Sequence, residues 1–162
     1  MIALLRDGVR RTRQHHAIEH ATLHVLAERY PQRTFAGYSD PMGISVYGDV
    51  DSYVLRRAVG DALLRLQGGE THLAIHPNCG TNLATTVLLT TVAALLSSVG
   101  QRGLWMRFTS MLVWVAGALI AGKSLGLRLQ RYTTTAQVAD RWVADIHPVR
   151  VGKLNVHRVL FE

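Results

Sequence analysis

Two long stretches without a charged residue constrain the fold of this chain more than any other feature. Residues 83–100 hold only apolar side chains, threonine, serine and glycine, and residues 108–122 are again uncharged after a short break. A helix that spans a bilayer needs roughly 20 apolar residues. The first stretch is close to that length, and the second reaches it only if neighbours such as Trp105 take part. The pattern predicts a two-helix transmembrane hairpin; the alternative is a hairpin buried inside a soluble, metal-free binding module.

Charges beside the predicted hairpin indicate its orientation. Lys123, Arg128 and Arg131 follow it, whereas the loop between its helices carries only Arg102 and Arg107. Positive charge accumulates on the cytoplasmic side of a membrane protein. We therefore expect both termini in the cytoplasm and the protein in the inner (cytoplasmic) membrane of the cell. One small-xxx-small pair in the second stretch favours close helix packing; it consists of Gly117 and Ala121.

The remainder of the chain predicts an α+β small domain, so the expected fold class is this domain combined with the transmembrane hairpin, mostly helical. The spacing of apolar residues predicts helices and strands: helices over 2–30, 51–67 and 132–144, and strands over 44–47, 71–76 and 151–161. Glycine, proline and asparagine predict loops over 35–43 and 77–82. The expected domains are a His-rich α+β region, the hairpin, and a C-terminal helix and strand packing on the first region: 1–82, 83–124 and 125–162.

The composition limits the partners. The 162 residues carry a net charge of +7 and one cysteine, Cys79, so no intrachain disulfide can form. A basic balance favours an anionic lipid bilayer surface as a neighbour. Nucleic acid is not expected, because the arginines are scattered and form no dense basic block. The sequence leaves the oligomeric state open, a homo-oligomer included.

The strongest chemical pattern is a histidine-rich segment of the first helix. His16, His20 and His24 are four residues apart, so they share one helix face. With Glu19, the first two form H-x-x-E-H, the inverted zincin pattern, in which two imidazoles bind zinc and the glutamate activates a water molecule. The spacing predicts His16 and His20 as metal ligands and Glu19 as a catalytic base. Alternatively, Glu19 only orients the two histidines.

A second cluster, His76-Pro77-Asn78-Cys79, follows in a tight loop before the hairpin. Catalytic zinc takes three protein ligands and keeps one open position. The third ligand could be His76, Cys79, Glu70 or His24, and we favour the loop, because a tight turn holds a ligand rigidly. Cys79 as a small buried hydrophobic residue is the alternative. Structural roles are expected for the other histidines in strand-like stretches, His72, His147 and His157.

Three motifs carry a resemblance to a known family: H-x-x-E-H-A-T from His16, G-x-S-D-P-x-G from Gly37, and H-P-N-C-G-T-N from His76. Together they resemble an uncharacterised family of small bacterial membrane proteins, of the domain-of-unknown-function kind. The chain is also similar, more distantly, to a second uncharacterised membrane family with H-G-A-E-H and H-P-R-C-G-T. It has Ala17 where that family has glycine, and Asn78 where that family has arginine. No role of that arginine is therefore carried over. The resemblance implies a membrane protein and a metal-site pattern, without an established activity.

The sequence thus predicts a membrane-embedded zinc-dependent hydrolase, most plausibly a peptidase acting on an unknown peptide or protein. Its metal site would use His16, His20 and either His76 or Cys79, with Glu19 as the base. Zinc suits imidazole and thiolate ligands, although other divalent metals remain open. The alternative is a non-catalytic membrane protein with a structural metal site or a polar His/Glu/Cys network.

Overall fold

The computed structural model describes residues 2–97, 99–100, 103–152 and 154–162. Its elements, in chain order, are α1 (Ile2–Arg29), β1 (Ala36–Asp40), β2 (Gly43–Tyr47), α2 (Ser52–Gln67), a 3₁₀ turn (Thr71–Ala74), α3 (Gly80–Ser97), α4 (Leu104–Thr133), β3 (Val143–Val151) and β4 (Leu154–Phe161). The described chain is mostly helical, with one four-stranded antiparallel sheet in the order β1-β2-β4-β3. It divides into two compact units: residues up to His76 together with Tyr132–Glu162, and Pro77–Arg131.

Helix α1 lies at the centre of the first unit, against α2, β1, β2 and the 3₁₀ turn. The core contains buried apolar residues from α1, α2, β2, the 3₁₀ turn and β4, among them Ile18, Leu26, Ile44, Leu55 and Val159. Helix α2 contributes a face of buried apolar residues at helical spacing. Its N-terminus is capped by Asp51, whose side chain accepts a hydrogen bond from Tyr53 N. Because α1 is packed on several sides, its histidines are fixed relative to the sheet.

The segment predicted as a turn-rich loop over 35–43 is instead strand β1 and the turn into β2. Asp40 pairs with Gly43 across this turn, and the Asp40 carboxylate accepts hydrogen bonds from Met42 N and Gly43 N. Gly43 is needed for close strand approach, since a Cβ there would collide with the backbone of Val159 in β4. The Gly, Pro and Asp residues thus belong to a tight hairpin rather than a longer loop.

Two further predictions about secondary structure were wrong. Residues 71–76 form a 3₁₀ turn followed by extended chain, because Leu73 and Ala74 are buried in the core around α1 instead of joining the sheet. Residues 134–142 form no helix. They run beside α1 as irregular chain with a turn at 139–140, and Thr135 N donates to Arg13 O while the Gln14 side chain donates to Gln137 O. The strands predicted over 44–47 and 151–161 correspond to β2 and β4, although Lys153 lies outside the described residues.

The second unit contains α3 and α4, and both are long and apolar enough to cross a membrane. Helix α4 has 30 residues, many more than the uncharged stretch alone predicted. Gly122 and Gly126 are where the two helices approach closely: a Cβ there would lie 2.8 Å from Thr86 Cα and 2.7 Å from Asn82 Cα, respectively. At Gly117, in the predicted small-xxx-small pair, a Cβ would meet nothing within 4 Å. Arg102, from the charge comparison, lies outside the described residues.

Candidate metal centre

The histidine face of α1 brings imidazole rings into contact. The ring centroids of His16 and His20 are 4.4 Å apart, as expected for residues four apart on a helix. His76, which follows the 3₁₀ turn, extends the row: its ring lies 5.6 Å from that of His20 and 5.0 Å from that of His24. Four of the predicted residues therefore form one cluster of imidazoles.

Backbone carbonyls determine which nitrogen of each ring carries the proton. His20 Nδ1 donates to Ala74 O at 2.7 Å, and His16 Nδ1 donates to Thr133 O at 3.2 Å. A carbonyl oxygen can only accept, so in the neutral rings the lone pair must be on Nε2. Metal-binding histidines in proteins are oriented by the same kind of outer hydrogen bond. Both rings are thus in the tautomer that coordinates a metal through Nε2.

His24 and His76 differ from this pair. His24 donates through Nε2 to Ile75 O at 3.0 Å, which puts the lone pair of its neutral ring on Nδ1. Burial, with the nearby His20 and His24, lowers the pKa of His76 to about 4. His76 is therefore uncharged at neutral pH, which permits the rings to pack closely.

The loop that carries Cys79 has its own hydrogen bonds. Asn82 donates from its side chain to Pro77 O at 2.7 Å, and its backbone N–H donates to Cys79 O at 2.9 Å. Cys79 directly precedes α3, and its Sγ accepts from Thr81 N at 3.4 Å. The N-terminus of a helix favours negative charge, so this position suits a thiolate. The motif H-P-N-C-G-T-N is accordingly a helix-start loop built around the sulfur.

His16, His20 and Cys79 form a group that could hold a metal ion. Each offers one ligand atom, and these atoms all lie within 4.8 Å of one another. Around tetrahedral zinc, with bonds of about 2.0–2.3 Å, ligand atoms are roughly 3.5 Å apart. The limit of 4.8 Å is thus wider than the ligand spacing around bound zinc. The identity of the metal is not fixed by this arrangement.

Glu19 is buried on the edge of the histidine face, under strand β1. Burial raises the pKa of its carboxyl, while His16 and a hydrogen bond with Ser39 act in the opposite direction. Gly37 provides the space: a Cβ there would lie 2.7 Å from Glu19 Cδ. Gly37 and Ser39 were not predicted as site residues, although both belong to the G-x-S-D-P-x-G motif, which was the available signal.

The remaining candidates lie elsewhere or serve other partners. Glu70, one proposed third ligand, forms a bidentate ion pair with Arg65 at 2.8–3.1 Å. That hydrogen bonding lowers the pKa of Glu70. His72 is exposed, and His147 contacts Asp145 at 3.2 Å. His157 is buried in β4. Each of these side chains has a local structural environment of its own.

Comparison with known proteins gives a family but no activity. Residues 11–146 match the model of a domain of unknown function, DUF6391. An uncharacterised protein of Picosynechococcus sp. (strain PCC 7002) is 48% identical over 87 residues, covering 48% of this chain and 42% of that protein. The chain thus spans less than half of the length of that relative. No solved structure matches. Since the family model covers most of the chain, the protein belongs to the DUF6391 family, whose function is unknown.

Proposed function

We propose that this protein is a membrane-embedded, zinc-dependent hydrolase, most plausibly a peptidase. His16, His20 and Cys79 would bind the metal and Glu19 would act as the general base. The observation that carries the proposal is the group of three ligand atoms within 4.8 Å of one another, combined with two imidazoles already in the Nε2-coordinating tautomer. Cys79 also lies only three residues after His76, so the chain limits the distance between the Cα atoms of these two residues to about 10 Å.

Membrane insertion is supported by where the apolar surface lies. Only 22% of the apolar window of α3 is buried, and none of that of α4. Large side chains such as Leu88, Val113 and Ile120 are more than half exposed. The core helix of a soluble protein would bury such residues, whereas a bilayer accommodates them. We further propose the inner membrane with the termini in the cytoplasm, on the charge distribution given above.

The donor set favours catalysis over a closed structural site. Structural zinc has four protein ligands, whereas catalytic zinc has three and keeps a position for water. Zinc bound here would lower the pKa of such a water toward neutrality. Glu19 is suited to take the proton, because its buried carboxyl has a raised pKa and a general base works best near the working pH. Ser39 and Gly37 hold the carboxyl in place.

Metal analysis of the detergent-purified protein is the first test. We expect one zinc per chain in the wild type, and loss of the metal in His20→Ala and Cys79→Ala. His72→Ala is the matched control, because this exposed histidine lies outside the cluster. A wild type without stoichiometric metal, or a His20→Ala variant that keeps it, would contradict the proposed site.

The second candidate is a structural metal site, favoured by the burial of Glu19 and Cys79, which are 6% and 5% exposed. Cobalt substitution separates the two. An open site should change its visible absorption when acetohydroxamate is added, whereas a site closed by four protein ligands should not. With a hydrolysed peptide in hand, Glu19→Gln should lower kcat by about 10²- to 10⁴-fold while metal content stays unchanged. Full activity of that variant would exclude Glu19 as the base.

A further inference from the structure

A groove of about 530 Å³ runs beside the first turns of α1 and ends at His16. One wall is a stripe of α1 residues at helical spacing, with Leu5, Val9 and Thr12 leading to His16; Pro41 and Tyr132 line the other side. This volume is in the range of pockets that bind small ligands. The groove therefore offers a path along the helix to one of the proposed metal ligands.

The entrance of the groove is apolar and exposed. Leu4, Leu5 and Val9 are 79%, 65% and 60% exposed, and Tyr132 is 69% exposed. A continuous apolar stripe on a basic helix is typical of segments that lie at a membrane surface. Tyr132 is also the penultimate residue of α4, the helix proposed to span the bilayer. The apolar wall is thus continuous along the chain with a membrane segment.

Arg13, further along the groove, carries a positive charge and forms no ion pair with a carboxylate among the described residues. Its guanidinium donates to Thr134 O at 3.3 Å, and its Nε is buried without a hydrogen-bond partner in the described part of the chain. In contrast, Arg10 and Arg11 on the same helix both pair with Asp7. Arg13 itself is partly buried, and a partly desolvated cation without an anion beside it favours binding of an anionic group.

We propose that this groove binds one anionic phospholipid, with an acyl chain along Leu5 and Val9 and the headgroup at Arg13. The apolar entrance matches the acyl chain of the lipid. The Arg13 guanidinium, which has no carboxylate partner among the described residues, complements the negative headgroup. Bound in this way, the polar part of the lipid lies next to His16. If the proposed function holds, the hydrolase site therefore meets its substrates at the lipid headgroup level. That last link rests on the proposed function, whereas the lipid site does not.

Native mass spectrometry of the full chain, released from detergent micelles, tests the lipid site. The probes are phosphatidylglycerol and phosphatidylcholine with identical acyl chains. The wild type should retain one more phosphatidylglycerol than Val9→Trp, in which the indole fills the groove. It should prefer phosphatidylglycerol about tenfold, as expected for one charge-assisted hydrogen bond. Arg13→Gln should lose this preference.

Two matched variants serve as controls. Arg11→Gln removes an exposed arginine outside the groove and should keep the preference, and Leu64→Trp adds an indole to an exposed position of α2 and should keep the lipid. An unchanged lipid count in Val9→Trp, an unchanged preference in Arg13→Gln, or a dimer that Val9→Trp dissociates in place of a bound lipid would overturn the proposal. Zinc content, measured in the same samples, tests the proposed function separately. If the protein binds the lipid but holds no metal, the zinc-dependent hydrolase is refuted and the lipid site is still supported.

Discussion

Replacing Gly37 with alanine should displace the Glu19 carboxylate. An added Cβ would lie 2.5 Å from Glu19 Cγ and 2.7 Å from Cδ, closer than side chains pack, so the carboxylate or strand β1 must move. Overpacking of this kind costs about 1–3 kcal/mol. For a chain of this size, that lowers Tm by roughly 2–12 °C. Thermal unfolding in detergent, followed by circular dichroism, measures the loss.

A double-mutant cycle attributes the cost to this pair. In Glu19→Ala the clashing atoms are absent, so adding Gly37→Ala should cost little, with a coupling energy of about 1 kcal/mol or more. Gly60→Ala is the control: a Cβ there meets nothing within 4 Å, and alanine in a helix is favoured over glycine by up to about 1 kcal/mol. Equal costs of Gly37→Ala in the two backgrounds would refute the contact.

Three other predictions concern stability. Burial raises the pKa of Asp40, but hydrogen bonds from Arg158 and two backbone N–H groups outweigh it and hold the pKa below its ordinary 3.8. Denaturant unfolding should therefore show Asp40→Asn less stable than the wild type at pH 7, with the gap closing as the pH falls below about 3.8 and through the folded-state pKa. In the second unit, Gly126→Ala should lower Tm through its collision with Asn82, while Gly117→Ala should not, because its Cβ would meet no atom within 4 Å. Chelation of the proposed metal should lower the Tm of the wild type, because metal at a thousandfold excess over Kd adds up to about 4 kcal/mol to the free energy of unfolding. The Tm of a variant without the cysteine ligand should not change.

Helical periodicity was sufficient to predict α1, α2 and the apolar helices, because each has a consistent face or an uncharged run over several turns. The strand content was harder to predict. Strand β3 was not predicted. It contains Pro148, and proline is unfavourable in a central strand, but β3 lies at the sheet edge, where a missing N–H is tolerated. The irregular segment after α4 depends on hydrogen bonds with Arg13 and Gln14 of α1, which no local pattern reveals.

The sequence predicted only the part of the site that helical spacing determines. The spacing of His16 and His20 places their rings together on any helix, so the sequence alone predicts their contact. The juxtaposition with His76 required the fold, since it depends on a 3₁₀ turn where a strand was predicted. Gly37 and Ser39 were missed because a glycine that makes room for a carboxylate looks, in sequence, like any turn glycine.

His16 and His20 donate their hydrogen bonds to the main chain and not to side chains. Both rings are oriented by main-chain oxygens, of Thr133 and Ala74, and a side-chain substitution cannot delete a main-chain oxygen. A deep mutational scan should therefore detect the ligands as sensitive positions, while Ala74, which is buried in the core, should be sensitive only to the size of its replacement. Relatives that replace Thr133 or Ala74 without moving the backbone should keep the same imidazole tautomers.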